Sequence, residues 1–227
     1  MKKHIILPLV FFSFTCVFSA DAQNFGIQGG FNFSELNNKI EQDGFSISLN
    51  STLKPGVNIG GFYEVSLNKS LIFRPELNFS QKGGKLSIES DGDKISTKQT
   101  LNYIEIPLNF YYLKKTGKGD LLLGAGPYAA LGISGKAAST VTLNGETTSS
   151  TVGVSFDGKS EDEITDEDVH YKALDVGLGF NAAYRFTSGL SIATGYSLGL
   201  SDISADAGVK LKNRCISIKL GYILGKK

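Results

Sequence analysis

The sequence predicts an all-β fold, an eight-stranded antiparallel up-and-down transmembrane β-barrel. Three observations lead to this prediction. Eight segments alternate apolar and polar residues with a period of two, which is typical of a strand that presents two different faces. The connections between these segments alternate between long and short. Beyond residue 22 no apolar run is suited to a membrane helix, whereas a closed barrel can satisfy every backbone group in lipid.

The first 22 residues have the features of a secretory signal peptide. Lys2 and Lys3 form a positive n-region, residues 5–18 form an apolar h-region, and Ala20-Asp21-Ala22 fits an A-x-A cleavage site. An uncleaved anchor helix is the alternative, but the apolar run is shorter than the roughly 20 residues that span a bilayer. We therefore predict a signal peptide over 1–22 and a single barrel domain over 23–227.

The eight predicted strands follow one another along the rest of the chain. They cover 24–34, 53–67, 71–82, 102–113, 120–134, 171–186, 190–201 and 214–224. Long connections follow the odd-numbered strands, at 35–52, 83–101, 135–170 and 202–213, and short turns follow the even-numbered ones. For residues 135–156 we also consider a hairpin in which the fifth and sixth strands extend beyond the membrane. Outer-membrane barrels have short periplasmic turns and longer extracellular loops, so we expect periplasmic termini and extracellular long loops.

The composition of the two strand faces distinguishes a membrane barrel from a soluble one. A soluble barrel, such as a periplasmic ligand-binding barrel, would turn its apolar face inward, and a membrane barrel reverses this. The polar face consists mainly of Gly, Ser and Asn with a few charges of both signs, fewer than a soluble exterior carries. We therefore predict that the apolar residues of the first strand face lipid, namely Phe25, Ile27, Phe31 and Phe33.

The charged residues of the polar face are predicted to lie inside the barrel. An eight-stranded barrel has a lumen that side chains can fill, and buried charges are tolerable only when they pair. We predict a polar network in the lumen made by Arg74, Glu76, Glu105, Arg185 and Lys219. The alternative is that some of these side chains are solvated at the barrel rims.

Several segments resemble one known family. Residues 26–34, GIQGGFNFS, resemble the first-strand pattern G-x-x-G-G-x-N-x-S of the PorT-like outer-membrane β-barrel family. The segments YIEIPL (103–108), GAGPY (124–128), DVGLG (175–179) and GYSLGLSDI (195–203) are similar to its later strands. The resemblance implies an outer-membrane barrel with a porin-family label, one member being linked to protein secretion. The chain departs from this family at its end, Leu224-Gly225-Lys226-Lys227, where an aromatic residue is usual.

The remaining composition argues against catalysis and nucleic-acid binding. Without the leader, 21 basic (23 − 2) and 21 acidic (22 − 1) residues balance, whereas nucleic-acid binding requires a basic surplus. His170 is the single remaining His, and no H-x-x-x-H, C-x-x-C or G-x-S-x-G motif is present. We therefore expect no enzyme activity, no cofactor and no metal centre. The acidic run 157–168 could bind Ca²⁺ through its carboxylates, but a solvated loop is favoured.

The sequence thus predicts an integral protein of the outer membrane of a Gram-negative bacterium, with a structural, interaction or secretion-associated role in the envelope. The expected partners are outer-membrane lipid, including lipopolysaccharide, and the barrel-assembly machinery; the partner of the extracellular loops is left open. A soluble periplasmic ligand-binding barrel and a narrow porin-like channel are the alternatives. Eight strands leave little room for an open pore.

Overall fold

The computed structural model describes residues 23–42, 45–90, 93–160, 166–206 and 208–224. The predicted signal peptide, 1–22, lies outside the described residues. Within these ranges the chain forms strands and no helix. The strands are β1 Gln23–Gln42, β2 Phe45–Asn50, β3 Lys54–Ser66, β4 Leu71–Ser90, β5 Asp93–Thr116, β6 Gly119–Leu143, β7 Glu146–Ser155, β8 Val169–His170, β9 Leu174–Phe186, β10 Leu190–Gly199 and β11 Val209–Ile223. None of the described residues forms a helix long and apolar enough to cross a membrane.

Eight of these strands close into a ring. Its order is β1, β3, β4, β5, β6, β9, β10 and β11, and every neighbouring pair is antiparallel. The ring closes because β1 also pairs with β11, from Gly26 opposite Ile223 to Ile40 opposite Val209. The predicted eight-stranded antiparallel barrel is confirmed. Closure leaves no strand edge in the ring, so the backbone polar groups pair with one another.

The prediction of a long loop at 83–101 is wrong. The strands β4 and β5 continue through this region and pair from Lys82 opposite Leu101 to Ser90 opposite Asp93. Leu86, Ile88 and Ile95 are the only large apolar residues between Gly83 and Thr100, so the apolar alternation is too short here to identify a strand. Similarly, β1 continues to Gln42 and pairs with β2 inside the predicted connection 35–52.

The predicted connection 135–170 contains a hairpin, but its second arm is not the strand expected from the sequence. The strand β6 extends to Leu143, turns at Asn144-Gly145 and returns as β7. Both turn residues have positive φ, 51° and 85°, which is the geometry of the tight hairpin turn that Asn-Gly favours. The strand β9 begins only at Leu174, three residues later than predicted.

The extended strands form a sheet that continues the barrel wall. We call it the protruding sheet, made of 83–90 in β4, 93–100 in β5, 135–143 in β6 and all of β7. One row of directly opposed hydroxyl residues crosses all four strands: Ser87, Ser96, Thr140 and Ser149. The sheet therefore presents a hydroxyl-rich surface at the long-strand end of the barrel, opposite the end with the short turns.

The outer wall of the barrel is apolar. Large apolar side chains are exposed on the outer face of all eight ring strands, including Phe110 in β5, Phe180 in β9 and Ile218 in β11. Soluble monomers rarely expose apolar surface on this scale. Phe25, Ile27 and Phe31 of the first predicted strand are 51%, 50% and 60% exposed on this wall. Phe33 is half-buried, next to Pro55 and Ile216.

Candidate functional site in the barrel lumen

The lumen contains three layers of charged side chains, and the first lies near the short-turn end. Glu64 of β3 is buried and forms ion pairs with Arg74 of β4 and with Arg185 of β9, the latter at 2.6 Å. Arg185 also donates to Asp120 from Nε at 3.2 Å and from Nη2 at 2.9 Å. One carboxylate thus joins two guanidinium groups from opposite sides of the barrel.

The second layer surrounds the carboxylate of Glu76. Gln28 donates to it at 2.6 Å, Asn78 at 3.1 Å and Asn109 at 3.1 Å. The Nζ atom of Lys219 lies 3.5 Å from the same carboxylate. These donors come from four different strands, β1, β4, β5 and β11, so they meet only because the sheet closes. They stabilise the charged form of a carboxylate that is otherwise shut off from water.

The third layer lies closest to the long-strand end and contains Lys82. Its ammonium group is 2.5 Å from Glu105 and 3.6 Å from Asp175, and it lies 4.5 Å from the centre of the Tyr128 ring. The contact with Glu105 is a close ion contact without hydrogen-bond geometry. Asn213 donates to Asp175 at 3.0 Å. The ammonium is therefore held by two carboxylates and an aromatic face, which together offset the cost of burying it.

The five residues predicted to form a lumen network are all buried inside the barrel. They do not form one cluster: Arg74 and Arg185 share the first layer, Glu76 and Lys219 the second, and Glu105 lies in the third.

Sequence reasoning left four other charged residues of these layers out of the network, namely Glu64, Lys82, Asp120 and Asp175. The alternation places Glu64, Lys82 and Asp175 on the polar faces of their strands, and this signal could have included them.

Little free space remains among these layers. A hollow of about 30 Å³ lies beside Lys82, Glu105 and Asn58, which is room for about two water molecules. Below it, at the short-turn end, an open cavity of about 430 Å³ reaches Glu64 and Arg185 of the first layer. The lumen is accessible from the short-turn end and filled above that cavity.

An apolar cluster closes the barrel mouth at the long-strand end. Leu101, Tyr103, Tyr171 and Ile203 are buried there, and Phe156 packs against them. The ring of Phe156 lies so close to Gly132 that a Cβ at this position would be 2.2 Å from it, which explains the glycine. Residues 155–160 and 166–171, which carry Phe156 and Tyr171, therefore form a lid on the mouth, which we call the mouth lid.

His170 contacts two carboxylates of the mouth lid through its two ring nitrogens. Its Nδ1 lies 2.7 Å from Asp157 and its Nε2 lies 2.9 Å from Asp166. The hydrogen bond to Asp157, then that to Asp166, raises the pKa of His170 above its ordinary value. The hydrogen bond from His170 lowers the pKa of Asp157 to about 2 and also lowers that of Asp166. Two further charged residues lie near His170. Asp168 accepts a hydrogen bond from Ser155, and Lys159 forms an ion pair with Asp157.

The acidic run was considered as a calcium site. Within the part of the chain that the structure describes, no group of three or more His, Cys, Asp or Glu side chains is arranged to hold a metal ion. Residues 161–165, which carry three of the acidic side chains, lie outside the described residues. Asp157 and Asp166 both face His170 instead. Calcium binding by the whole run is the alternative that the sequence disfavours, and it stays untested.

The chain is similar to several solved structures. No curated protein matches the chain in sequence. Among solved structures, it is similar to Neisserial surface protein A, at 15% identity over 87% of this chain and 96% of that one, with a TM-score of 0.39. It is also similar to the attachment invasion locus protein Ail of Yersinia pestis, at 13% identity over 86% and 99% with a TM-score of 0.32, and to the outer membrane protease OmpT of Escherichia coli, at 14% identity over 92% and 99% with a TM-score of 0.47.

The sequence itself matches one family over most of its length. Residues 20–205 match the family described as outer membrane protein beta-barrel domain. The match begins just before β1 and ends just before β11, so it spans seven of the eight ring strands. The apolar outer wall and the charged lumen agree with a barrel that has lipid outside. The chain therefore belongs to the outer membrane protein beta-barrel domain family and is a barrel of the outer membrane.

Proposed function

We propose that this protein is a closed membrane anchor that presents the protruding sheet at the cell surface, with a structural or interaction role in the envelope. The observation that carries the proposal is the filled lumen. Three layers of paired charges and the apolar mouth lid occupy the route between the two ends. An ion would have to separate several buried pairs to pass, and breaking one such pair costs about 3–5 kcal/mol.

A conductance measurement tests the closed lumen against the narrow-channel alternative. The refolded barrel is inserted into a planar lipid bilayer, and we expect no stepwise ionic current. Heat-modifiable gel mobility of the same sample shows independently that the barrel is folded. Stepwise currents from folded protein would contradict a closed anchor and favour the channel.

The proposal also requires the long-strand end to lie outside the cell and the termini to lie in the periplasm. Ser149 is exposed on the protruding sheet, and Lys118 is exposed in a short turn at the other end. Cys215 is buried, so it contributes little labelling background. A membrane-impermeant maleimide should label Ser149→Cys on intact cells, and Lys118→Cys only after the outer membrane is permeabilised. The opposite pattern would reverse the orientation.

The lipid-facing wall defines the remaining partners that we propose. Its exposed aromatic and aliphatic side chains would contact outer-membrane lipid, including lipopolysaccharide, and the barrel-assembly machinery would insert it. Fractionation tests this placement, because a periplasmic protein without heat-modifiable mobility would support the soluble ligand-binding alternative. The exposed apolar face of all eight ring strands favours the membrane.

A secretion-associated role is the second candidate, and the PorT-like motifs favour it. The side chains of Asn32 and Ser34 from the first motif are buried in the lumen, and Asn32 donates to Ser80 at 3.0 Å. If the role is in secretion, cells that lack the protein should release a smaller set of proteins, and the intact gene should restore the set. An unchanged set of released proteins would exclude this candidate and leave the closed anchor.

A further inference from the structure

The outer wall has a groove where the first and last strands of the barrel meet. The groove has a volume of about 410 Å³ and exposes almost only carbon atoms. Its floor is the backbone around Gly29 in β1 with parts of β3 and β11. Its lining residues are Ile27, Gln28, Gly29, Ile59, Gly60, Leu190, Leu220, Gly221 and Tyr222.

Gly29 creates the groove because it occupies an outward position without a side chain. Its neighbours across the sheet are Leu220 in β11 and Ile59 in β3, which are 57% and 62% exposed. The next outward residue of β1 is Phe31, which is 60% exposed. A Cβ at Gly29 would meet only a backbone oxygen of Asn58 at 3.8 Å, so the glycine is not required by close backbone packing.

The dimensions of the groove fit a single hydrocarbon chain. Neighbouring strands lie about 4.8 Å apart, so Ile59 and Leu220 rise from strands separated by about 10 Å, with the glycine between them. Because the side chains of Ile59 and Leu220 project above the floor, a second barrel wall or a helix would be too wide to reach it. An unbranched, flexible chain can enter this space and restore the dispersion contacts that the missing side chain leaves unmade.

We infer that this groove binds one acyl chain of a membrane lipid, held longer than the lipids around the rest of the wall. The inference rests on the membrane placement described under the proposed function, because the groove is continuous with the exposed apolar wall. In a bilayer the hydrophobic effect does not drive such binding, and close packing decides it. The acyl chain lies over Gly29 between Ile59 and Leu220, with Tyr222 toward the short-turn end.

The inference is tested by counting lipids retained on purified protein. Protein extracted from membranes in a mild detergent is measured by native mass spectrometry, and we expect a species with one phospholipid. Gly29→Leu fills the groove without a backbone clash and should abolish this species. The matched control is Ala129→Leu, which adds one carbon less to an exposed position on the wall formed by β6 and should retain it.

The remaining outcomes of this experiment also support or overturn the inference. Ile59→Ala removes one side of the groove, whereas Gly29→Leu fills its floor, and it should also reduce the lipid-bound fraction. Equal retention in Gly29→Leu and wild type, or no retained lipid in wild type, would overturn the inference. A wild-type dimer that Gly29→Leu converts to monomer would overturn it in favour of a second copy. Heat-modifiable mobility and membrane fractionation of every variant report the proposed membrane placement separately, so the two failures are distinguishable.

Discussion

Removing the charge of Glu64 should destabilise the barrel, because two buried guanidinium groups depend on this carboxylate. Arg185 keeps its two hydrogen bonds to Asp120 after the change. Arg74 loses its ion pair, and its Nε atom has no hydrogen-bond partner among the described residues. The rings of Phe62 and Tyr111 remain, each 4.5 Å from the guanidinium carbon, together with the more distant charge of Glu76 in the second layer.

The size of the effect follows from these remaining contacts. Breaking a buried ion pair by removing one partner costs about 3–5 kcal/mol. A glutamine at position 64 keeps one acceptor oxygen, so we expect Glu64→Gln to lower the free energy of unfolding by about 3 kcal/mol. The double variant Glu64→Gln with Arg74→Met removes the unpaired charge as well, and it should regain a large part of this loss.

Urea unfolding in lipid vesicles measures the effect, with heat-modifiable gel mobility reporting the folded fraction. The matched control is Glu89→Gln in the protruding sheet, where Glu89 and Lys94 form an exposed ion pair at 3.3 Å. An exposed pair contributes about 0–1 kcal/mol, so this control should unfold nearly as wild type does. If Glu64→Gln loses no more stability than Glu89→Gln, the reasoning about the first charge layer is refuted.

Backbone space, lipid exposure and proton binding can each be probed at a single position. A Cβ at Gly126 would lie 2.0 Å from a backbone oxygen, so Gly126→Ala should cost about 1–3 kcal/mol in urea unfolding, whereas Gly29→Ala should be nearly neutral. Phe31→Lys places a charge on the lipid-facing wall and should cost about 2–4 kcal/mol, whereas Ser149→Lys on the protruding sheet should stay within about 0.5 kcal/mol. NMR titration should place the pKa of His170 above about 6.5, and the protection of the mouth lid, relative to the intrinsic exchange rate at each pH, should fall as the pH rises through that pKa.

The sign of the pH effect follows from the direction of the pKa shifts. A His whose pKa is higher in the folded state stabilises that state below its unfolded pKa, and the contribution disappears as the pH rises through the folded pKa. The lowered pKa of Asp157 acts in the opposite sense, so its contribution disappears as the pH falls toward about 2. Protection of the mouth lid should therefore be greatest between about pH 4 and pH 6.5. His170→Gln should flatten the alkaline side of this profile, and a profile unchanged by that substitution would contradict the role of His170.

Much of the barrel could be predicted from the sequence, because strand alternation is a local property. In β1 the order of Phe25, Ile27, Phe31 and the intervening polar residues assigns each side chain to a face without any knowledge of the neighbouring strands. The same parity places Arg74, Glu76 and their counterparts inward. The extension of β6 was considered as a protruding hairpin. The extensions of β4 and β5 escaped prediction because Leu86, Ile88 and Ile95 are the only large apolar residues between Gly83 and Thr100, too few for alternation to identify a strand.

The sequence by itself determined how many ring strands there are and which side chains face the lumen. Only the tertiary structure decided which charges meet, since Glu64 and Arg185 are 121 residues apart and lie in strands that do not pair with each other. Their contact depends on ring closure and on the register of every pair between them, because a strand that slips by one residue turns its side chains to the other face. The division of the predicted lumen residues into three layers, and the groove beside Gly29, follow from that register. No single strand contains this information.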